Sequence, residues 1–436
     1  MKVALLTLFG RLDTTYSLVS VVAEQLRMLL AAGIPVKLLV CEQFDESSKF
    51  GIYCDSRIQW GRVCNTHRGR QIEWHDYEDA RTPVHASFSA EADTVAESLA
   101  RELADADVCF LHDILYQGWH LLHNVALRRA QKSLPRLKFL SFAHSAPLPR
   151  PAKLVWPYSA RFQPLPNTEY ISFTYAGLPP LARQFGVPEA RCRVVYNSLD
   201  LLAAFGPDVR ALAEKTDLLS PEALLVYPGR LTPAKRFEKA AAFAGALKSA
   251  GADGVRAVFC DFPSADVKPE AYRAAVRKTG RRFGLADEDM AFTSELGWPE
   301  GFPRAAVLEL FTLSNLFVMP SFSEAFPLTV LEAASRGNLL VLNGAVPPLR
   351  EIGESLGAML LRWDALNYGF VTTEQYEPSE EAYYAEHAAR LLKKLREEPA
   401  LRAKTAVRRR YGPAWVWRNQ LAPLLPAWEE EAPCPE

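Results

Sequence analysis

The sequence of 436 residues has no long apolar run, no closely spaced cysteines and no excess of charge of either sign. No apolar stretch approaches the roughly 18–20 residues that a membrane-spanning helix needs, so no transmembrane segment is expected. The seven cysteines are scattered without a C-x-x-C pair, which makes a disulfide framework or a zinc site unexpected and fits a cytoplasmic protein. Lys and Arg total 50 against 51 Asp and Glu, and this balance argues against nucleic acid as a partner.

Several motifs of nucleotide-dependent and hydrolytic enzymes are also missing. No G-x-G-x-x-G follows the first predicted strand, which weakens a dinucleotide-dependent oxidoreductase, and the absence of G-x-x-x-x-G-K-[ST] excludes a P-loop NTPase. The zinc-protease motif H-E-x-x-H does not occur. Asp105 and Asp107 form a D-x-D of the kind that can hold a divalent ion. They end a predicted helix instead of following a strand, so we expect a solvated helix end and no metal site.

Strand and helix patterns alternate along the chain. A hydrophobic content of 49% with 23% charged residues is typical of soluble globular proteins. Apolar runs predict buried strands at 2–9, 34–41, 108–111, 137–142, 223–227, 255–260, 316–319 and 339–342. The first of these runs is read as a strand rather than a signal peptide, because no small-residue cleavage site follows it. Continuous apolar strands separated by helices indicate an α/β fold with parallel sheets covered on both faces.

The restart of the pattern after residue 220 divides the chain. We predict one Rossmann-like domain over 1–205, a second over 206–410, and a final segment 411–436 with a helix that returns to the first domain and then an acidic tail. Segment 54–79 interrupts the first half with Trp60, Trp74, His67 and His75, and predicts a hairpin or long loop. Whether this insertion binds a ligand or only decorates the surface stays open.

The most informative stretch follows the predicted strand 316–319. Glu324 lies in the loop after that strand, Pro327 suits the first position of a helix, and Glu332 lies within the helix, which Gly337 ends. A helix that begins just after a strand presents free backbone N–H groups and its positive dipole end to an anion. A carboxylate is in turn a good acceptor for a vicinal diol. The backbone groups expected to face the ligand belong to Ala325, Phe326 and Leu328.

A second constellation follows the first strand of the second half. Gly229 allows a ligand to approach the backbone, Arg230 can grip a phosphate with two hydrogen bonds, and Lys235 adds a point charge. Taken alone, this segment is equally consistent with a phosphate-binding loop and with a solvated basic loop. Together with the loop around Glu324, at the binding edge of the same predicted sheet, it favours a diphosphate site.

The pairing of G-R-L-x-P-x-K (229–235) with P-S-x-x-E-x7-E (320–332) resembles glycosyltransferase family 4, a family of retaining enzymes with the GT-B fold. The resemblance spans most of the second half and extends more weakly over the whole chain. It implies two Rossmann-like domains whose parallel sheets face a central cleft. It also implies that the first domain binds the acceptor and that the second binds the nucleotide sugar.

Roles carried over by position follow from this resemblance. Arg230 and Lys235 would bind the donor diphosphate, Glu324 would hydrogen-bond the transferred sugar, and Glu332 would bind the nucleotide ribose. In the first half, His144 after the strand 137–142 resembles the family histidine that contacts the donor sugar near the reaction centre. His112 and Asp113, at the end of another strand, are weaker candidates for the cleft wall.

Two positions depart from the family pattern. Family members often carry paired glycines after the first strand, where the backbone approaches the leaving phosphate. This chain has Gly10 followed by Arg11, Leu12 and Asp13, so that Gly10 would serve alone. After Lys235 the family commonly has glycine, and here Arg236 stands in its place.

The expected function is transfer of a sugar from a UDP- or GDP-sugar to a hydroxyl acceptor, such as a sugar or small soluble glycoside. The resemblance implies retention of anomeric configuration. The protein would need no cofactor and no metal, because protein cations would stabilise the leaving diphosphate. The alternative is a catalytically inactive protein of the same fold that still binds a nucleotide sugar.

Overall fold

The computed structural model describes residues 1–78, 80–145, 155–363, 365–367, 370–372 and 380–426. The chain forms two compact units, one of Met1–Leu199 with Pro413–Glu436 and one of Asp200–Gly412. The sequence predicts domain borders at 205/206 and 410/411, and the two units divide at 199/200 and 412/413. The predicted acidic tail lies outside the described residues.

The first unit is built on a sheet of seven parallel strands. The strands of this unit are β1 (Val3–Leu6), β2 (Val36–Cys41), β3 (Ile58–Val63), β4 (Thr66–His67), β5 (Arg70–Gln71), β6 (Val108–His112), β7 (Lys138–Phe142), β8 (Thr168–Ser172) and β9 (Cys192–Val194). Of these, β4 and β5 form a separate short pair outside the main sheet. The seven-stranded order is β3-β2-β1-β6-β7-β8-β9. The helices are α1 (Ser17–Ala31), α2 (Phe88–Glu102), α3 (Leu121–Gln131) and α4 (Leu178–Phe185). This confirms the predicted α/β class for the first half.

The amino ends of β1 and β6 carry a network of charges. Lys37 on β2 is buried, and its Nζ donates to the backbone oxygen of Glu102 at 2.6 Å and forms an ion pair with the Glu102 carboxylate at 3.1 Å. Asp105 pairs with Lys2 and Lys37, and Asp107 accepts a hydrogen bond from the backbone N–H of Lys2. The D-x-D therefore joins strand ends at the amino edge of the sheet, and this edge is opposite to the one where α/β folds bind ligands.

The insertion 54–79 is only partly the hairpin that the sequence predicted. Its first half supplies β3, which pairs parallel to β2 and is the edge strand of the main sheet. Only β4 and β5 form an antiparallel pair. Trp60 on β3 stacks on Phe44 at 5.0 Å, and Lys49 covers its ring at 3.7 Å, so this tryptophan packs within its own unit.

The far end of the insertion docks on the turn that follows β6. Arg161 is buried and donates to the backbone oxygens of Tyr116 at 2.7 Å and of Glu78 at 2.9 Å. An ideal Cβ placed on Gly118 would lie 2.3 Å from Asp76 Oδ1 and 2.6 Å from the backbone nitrogen of Glu78. Glycine is therefore required at 118, because segment 76–78 passes directly over it.

The second unit repeats the architecture with a sheet of six parallel strands. Its strands are β10 (Ala223–Arg230), β11 (Val255–Phe262), β12 (Met290–Phe292), β13 (Leu316–Met319), β14 (Leu339–Asn343) and β15 (Met359–Leu361), followed by a separate antiparallel pair, β16 (Ala365–Asn367) and β17 (Phe370–Thr372). The order of the main sheet is β12-β11-β10-β13-β14-β15. The helices are α5 (Pro207–Lys215), α6 (Phe237–Ser249), α7 (Pro269–Arg282), α8 (Arg304–Leu313), α9 (Leu328–Ala334), α10 (Pro347–Leu356), α11 (Glu380–Glu397) and α12 (Pro399–Arg410).

The helix predicted for the final segment 411–436 is not a single helix over its described residues. Arg408 is buried at the end of α12, where it donates to the backbone oxygens of Leu218 and Glu222 and fixes that helix in the second unit. After Gly412 the chain forms a short helix α13 (Pro413–Val416), a π-helical turn and a 3-10 turn. This segment packs on the first unit, where Gln420 accepts from the backbone N–H of Tyr196 at 2.8 Å. Within the described ranges, every helix is too short or too polar to span a bilayer.

The docking of the insertion predicts the effect of one methyl group. We expect Gly118→Ala to lower the free energy of unfolding of the first unit by about 1–3 kcal/mol, because the contacts that block its Cβ are largely backbone atoms that cannot rotate away. Urea titration followed by tryptophan fluorescence measures the change. Gly10→Ala is the matched control, since no atom lies within 4 Å of its ideal Cβ. Equal stability of Gly118→Ala and the parent protein would contradict the docked position of segment 76–78.

Candidate functional site

The candidate residues of the second unit lie at the point where its strand order reverses. The chain passes from β10 through α6 to β11 on one side, and from β13 through α9 to β14 on the other. The connections therefore diverge between β10 and β13 and leave a crevice at the carboxyl ends of these two strands. Arg230 ends β10, and the loop that contains Glu324 follows β13. The two sequence motifs are thus brought together at the edge where such folds bind ligands.

The end of β10 is open. Arg230 is exposed, and its guanidinium makes no hydrogen bond or ion pair with any residue that the structure describes. An ideal Cβ on Gly229 would lie 3.5 Å from the Phe237 ring and 3.8 Å from Lys235 Cγ, which are ordinary contacts. The packing of the protein alone does not demand glycine at 229.

Lys235 and Glu324 form an ion pair across the crevice. Lys235 Nζ lies 2.5 Å from Glu324 Oε1, and the two side chains are 27% and 11% exposed. Their loops are tied together, because the backbone N–H of Phe322 donates to the oxygen of Ala234 at 2.8 Å. The sequence predicted that both residues face one ligand, and in this structure they form an ion pair with each other.

A buried tyrosine is hydrogen-bonded to the backbone of the loop that carries Lys235. Tyr227 on β10 is fully buried, and its hydroxyl donates to the backbone oxygen of Lys235 at 2.7 Å and lies 3.2 Å from Ser321 Oγ. Burial raises the pKa of Tyr227, so the phenol stays protonated and remains a hydrogen-bond donor. Tyr227 was not identified from the sequence, where it appeared as one more aromatic residue in an apolar strand.

Arg236 explains why a glycine would suit its position. Its backbone has φ 52° and ψ 46°, the left-handed conformation that side chains with a Cβ rarely adopt. The guanidinium lies over the Phe322 ring at 5.0 Å and 3.7 Å from Glu238. These contacts link the left-handed residue to both loops of the crevice and help to offset its backbone strain.

The helix after the second motif is shorter than predicted. α9 begins at Leu328 and ends at Ala334, whereas a helix to 336 with Pro327 inside it was expected; Pro327 precedes the first helical residue. The backbone N–H groups of Ala325, Phe326 and Leu328 donate no hydrogen bond within the described chain. Free N–H groups therefore remain beside Glu324.

Glu332 has a partner on α8. Arg304, the first residue of α8, donates from Nε to Glu332 Oε1 at 3.1 Å and from Nη2 to the same oxygen. The Arg304 side chain is 75% exposed and that of Glu332 only 16%. A ligand hydroxyl that binds Glu332 would share the carboxylate with Arg304 or displace it.

A polar network that the sequence did not reveal ends the neighbouring strand. Asp261 on β11 is fully buried and accepts from Ser294 Oγ at 2.6 Å and from the backbone N–H of Ser294 at 3.1 Å. Arg273 on α7 donates to Ser294 Oγ at 3.0 Å. The available signal was the aspartate that directly follows an apolar run. The network fixes the loop after β12 at the same edge of the sheet.

The first unit places its candidates in the same way. Its strand order reverses between β1 and β6, Gly10 follows β1, His112 ends β6, and His144 follows β7. Gly10 has open space around its ideal Cβ. The three residues thus lie after adjacent strands at the carboxyl edge of one sheet.

Asp113 organises the end of β6 and β7. Its Oδ1 accepts from the backbone N–H of His144 at 2.6 Å and from the Tyr116 hydroxyl at 2.7 Å, and its Oδ2 accepts from Ser145 Oγ at 3.1 Å. His112 Nδ1 lies 2.9 Å from His144 Nε2. Burial lowers the pKa of both histidines, that of His112 most, so the imidazoles are neutral near pH 7.

No cluster of metal ligands occurs in the part of the chain that the structure covers. A group of three or more His, Cys, Asp or Glu side chains suited to a metal ion is not found among these residues. The second unit offers an ion pair, an exposed arginine and free backbone N–H groups, and the first unit offers a pair of neutral histidines.

The two doubly wound α/β units, each with candidate residues at a reversal of strand order, belong to the class of folds in which ligands bind at the carboxyl ends of the strands. Residues 208–357 match the family model of glycosyl transferases group 1. This match confirms, over that part of the second unit, the resemblance that the motifs around Arg230 and Glu324 carry. No curated protein matches the chain.

Solved structures similar to this chain include three that cover nearly all of it. The lipopolysaccharide outer core galactosyltransferase WaaB is 13% identical, with 96% of this chain and 98% of that chain covered and a TM-score of 0.35. HepE of Anabaena in complex with UDP-glucose is 13% identical, with coverages of 96% and 97% and a TM-score of 0.32. The N-terminal domain of Candida albicans trehalose-6-phosphate phosphatase is 14% identical, with coverages of 95% and 94% and a TM-score of 0.37. At these scores we draw no functional conclusion from them.

Proposed function

We propose that the protein transfers a sugar from a nucleoside diphosphate sugar, with UDP or GDP as the nucleotide, to a hydroxyl group of a carbohydrate or glycoside. The observation that carries this proposal is the meeting of both family motifs, within residues 208–357, at the reversal of strand order. Arg230, Lys235 and free N–H groups are suited to a diphosphate, and Glu324 is suited to sugar hydroxyls.

The Lys235–Glu324 ion pair supports a ligand that is anionic at one end and rich in hydroxyls at the other. A carboxylate next to a diphosphate would repel it, unless a cation between the two compensates both charges. Lys235 is in that position, because it already contacts Glu324 and is linked by the turn 232–235 to Arg230. Binding of the donor would let Lys235 turn toward phosphate while Glu324 accepts from the sugar.

The chemistry follows from where charge develops. As the glycosidic bond to the diphosphate breaks, negative charge grows on the leaving phosphate, and Arg230, Lys235 and the N–H groups of 325–328 would stabilise it. The proposed mechanism retains the anomeric configuration, with the acceptor attacking on the face that the diphosphate leaves and the leaving phosphate taking its proton. His144 and Gly10 of the first unit would contact the donor sugar and the leaving phosphate.

The donor is found by a thermal-shift series with UDP-, GDP- and ADP-sugars. A ligand at 100 times its Kd stabilises the protein by about 2.7 kcal/mol, which is easily detected. Turnover of that donor, by transfer or slow hydrolysis, separates an enzyme from the inactive nucleotide-sugar-binding alternative. Binding without any turnover, across a panel of acceptors, would favour the alternative.

The exposed guanidinium of Arg230 gives the first prediction for the reaction. We expect Arg230→Ala to lower kcat by roughly 10²–10³-fold, as does removal of one preorganised group that stabilises transition-state charge. Arg256→Ala is the matched control, because Arg256 lies near the amino end of β11, where it donates to the backbone oxygen of Asp217. Steady-state kinetics with saturating donor measure both. Turnover of Arg230→Ala close to the parent rate would refute the phosphate clamp.

The two glutamates should differ in their kinetic effects. Glu332→Gln should chiefly raise the donor KM, since the ribose does not react, and Glu324→Gln should also lower kcat, since it positions the reacting sugar. Arg304→Ala serves as control: it frees Glu332 from its present partner and should leave kcat unchanged without raising KM. The same change of kcat and KM in both glutamate variants would contradict their separate roles.

Stereochemistry and metal dependence test the remainder of the proposal. We expect the product to keep the anomeric configuration of the donor and to form at an undiminished rate in excess EDTA, because protein groups would stabilise the leaving group. Proton NMR of fresh product reads the anomeric coupling. An inverted anomer would overturn retention, and a rate lost in EDTA and restored by Mg²⁺ or Mn²⁺ would overturn the metal-free clamp.

A further inference from the structure

A single hydrogen bond joins the two histidines at the carboxyl edge of the first unit. His112 Nδ1 and His144 Nε2 are 2.9 Å apart, which is a hydrogen-bond distance. A neutral imidazole carries one proton, on either of its nitrogens. Two arrangements are therefore available: His112 donates from Nδ1 to His144, or His144 donates from Nε2 to His112.

The surroundings of His112 favour the first arrangement. His112 is 2% exposed and lies in a stacked arrangement with the Phe142 ring at 5.3 Å. Its Nε2 is buried and has no hydrogen-bond partner among the residues described. If His144 were the donor, the His112 proton would sit on this Nε2 and form a buried N–H without an acceptor, which folded proteins rarely tolerate. A proton on Nδ1 avoids that cost.

The surroundings of His144 favour the same arrangement. The Asp113 carboxylate accepts from the backbone N–H of His144 at 2.6 Å. Nδ1 is the ring nitrogen nearer to its own backbone, while Nε2 points toward His112. The field of the carboxylate raises the proton affinity of the His144 imidazole, which makes His144 the better acceptor of the pair. Asp113 is held in place by the Tyr116 hydroxyl and by Ser145, so this field is fixed.

We propose that His112 is a positioning residue that donates from Nδ1 to His144 Nε2 and so holds His144 in the tautomer with the proton on Nδ1. The free imidazole of histidine prefers its proton on Nε2, so this pair reverses the intrinsic preference. His144 then presents a fixed N–H donor at the strand edge and has no free lone pair there with which to accept a proton.

The chemical consequence rests on the proposed function. A donor group at Nδ1 recognises an oxygen acceptor, such as a hydroxyl oxygen of the transferred sugar, and orients it without taking its proton. His144 would therefore position the sugar and would not act as a general base. The acceptor proton would leave by another route, as it does in the proposed reaction, where the leaving phosphate takes it.

The tautomer can be observed directly in the ligand-free protein. Long-range ¹H–¹⁵N correlation spectra of the ¹⁵N-histidine-labelled full chain distinguish a protonated from a bare ring nitrogen, and His144→Gln assigns the signal. We expect His144 to show a protonated Nδ1 and a bare Nε2, and His112 to show the same. A His144 signal with its proton on Nε2 would overturn the proposal, whatever the protein catalyses.

Two substitutions of His112 separate positioning from packing. His112→Asn keeps an N–H donor near the place of Nδ1 and should preserve the Nδ1–H tautomer of His144, whereas His112→Phe removes it and should shift His144 toward Nε2–H. His123→Phe, at another buried histidine, is the control and should leave the His144 signal unchanged. The same His144 tautomer in the Asn and Phe variants would contradict the role of His112.

Kinetics with the donor found by thermal shift complete the test. We expect His112→Phe to lower kcat by about 10-fold or more with a smaller change in donor KM, and His112→Asn to stay within about 3-fold of the parent enzyme. Equal loss in both variants would overturn the positioning role. If the parent protein turns over no donor, the proposed function fails, and the NMR measurement still decides the tautomer.

Discussion

Parallel pairing is the constraint on which both candidate sites depend. When all strands of a sheet run in one direction, every carboxyl end lies on the same edge, and residues far apart in the chain become neighbours there. Lys235 and Glu324 are separated by 89 positions and meet because β10 and β13 are adjacent. His112 and His144 meet in the same way across β6 and β7. At the opposite edge, Asp105 forms an ion pair with Lys2, and Asp107 accepts a hydrogen bond from the backbone N–H of Lys2.

The charges of the two candidate glutamates in the second unit are balanced by neighbouring cations. Glu324 is held by Lys235, and Glu332 by Arg304. Unpaired carboxylates in this crevice would repel a diphosphate, and unpaired, partly buried charges would also cost stability. Each glutamate therefore has a cationic partner in this structure. Arg230 has no such partner among the described side chains, so under the proposed function its guanidinium would be available to a phosphate.

The α/β class and most strands were predictable, because strands buried on both faces are continuous apolar runs, such as Val36–Cys41 and Leu316–Met319. The strand Ile58–Val63 was missed since it lies at the edge of its sheet, and its alternating Gln59, Trp60 and Arg62 look like a polar loop. The motif residues were found from their positions after predicted strands and from the family resemblance. Their partners were not, because the pairing of Glu332 with Arg304, or of His112 with His144, depends on tertiary contacts that no local pattern encodes.

The docked insertion has a consequence for how its tip can vary. The segment between β3 and residues 76–78 is fastened at both ends, by pairing to β2 and by the contacts over Gly118 and Arg161. It is thus a closed loop rather than an open arm, and the entropy cost of closing such a loop rises only slowly with its length. Residues 68–71 are exposed and can lengthen, shorten or change sequence at little cost to the core. The two fastenings cannot, and neither can the buried Asn65 and Ile72, so variation in this part of the surface is confined to the turn between β4 and β5.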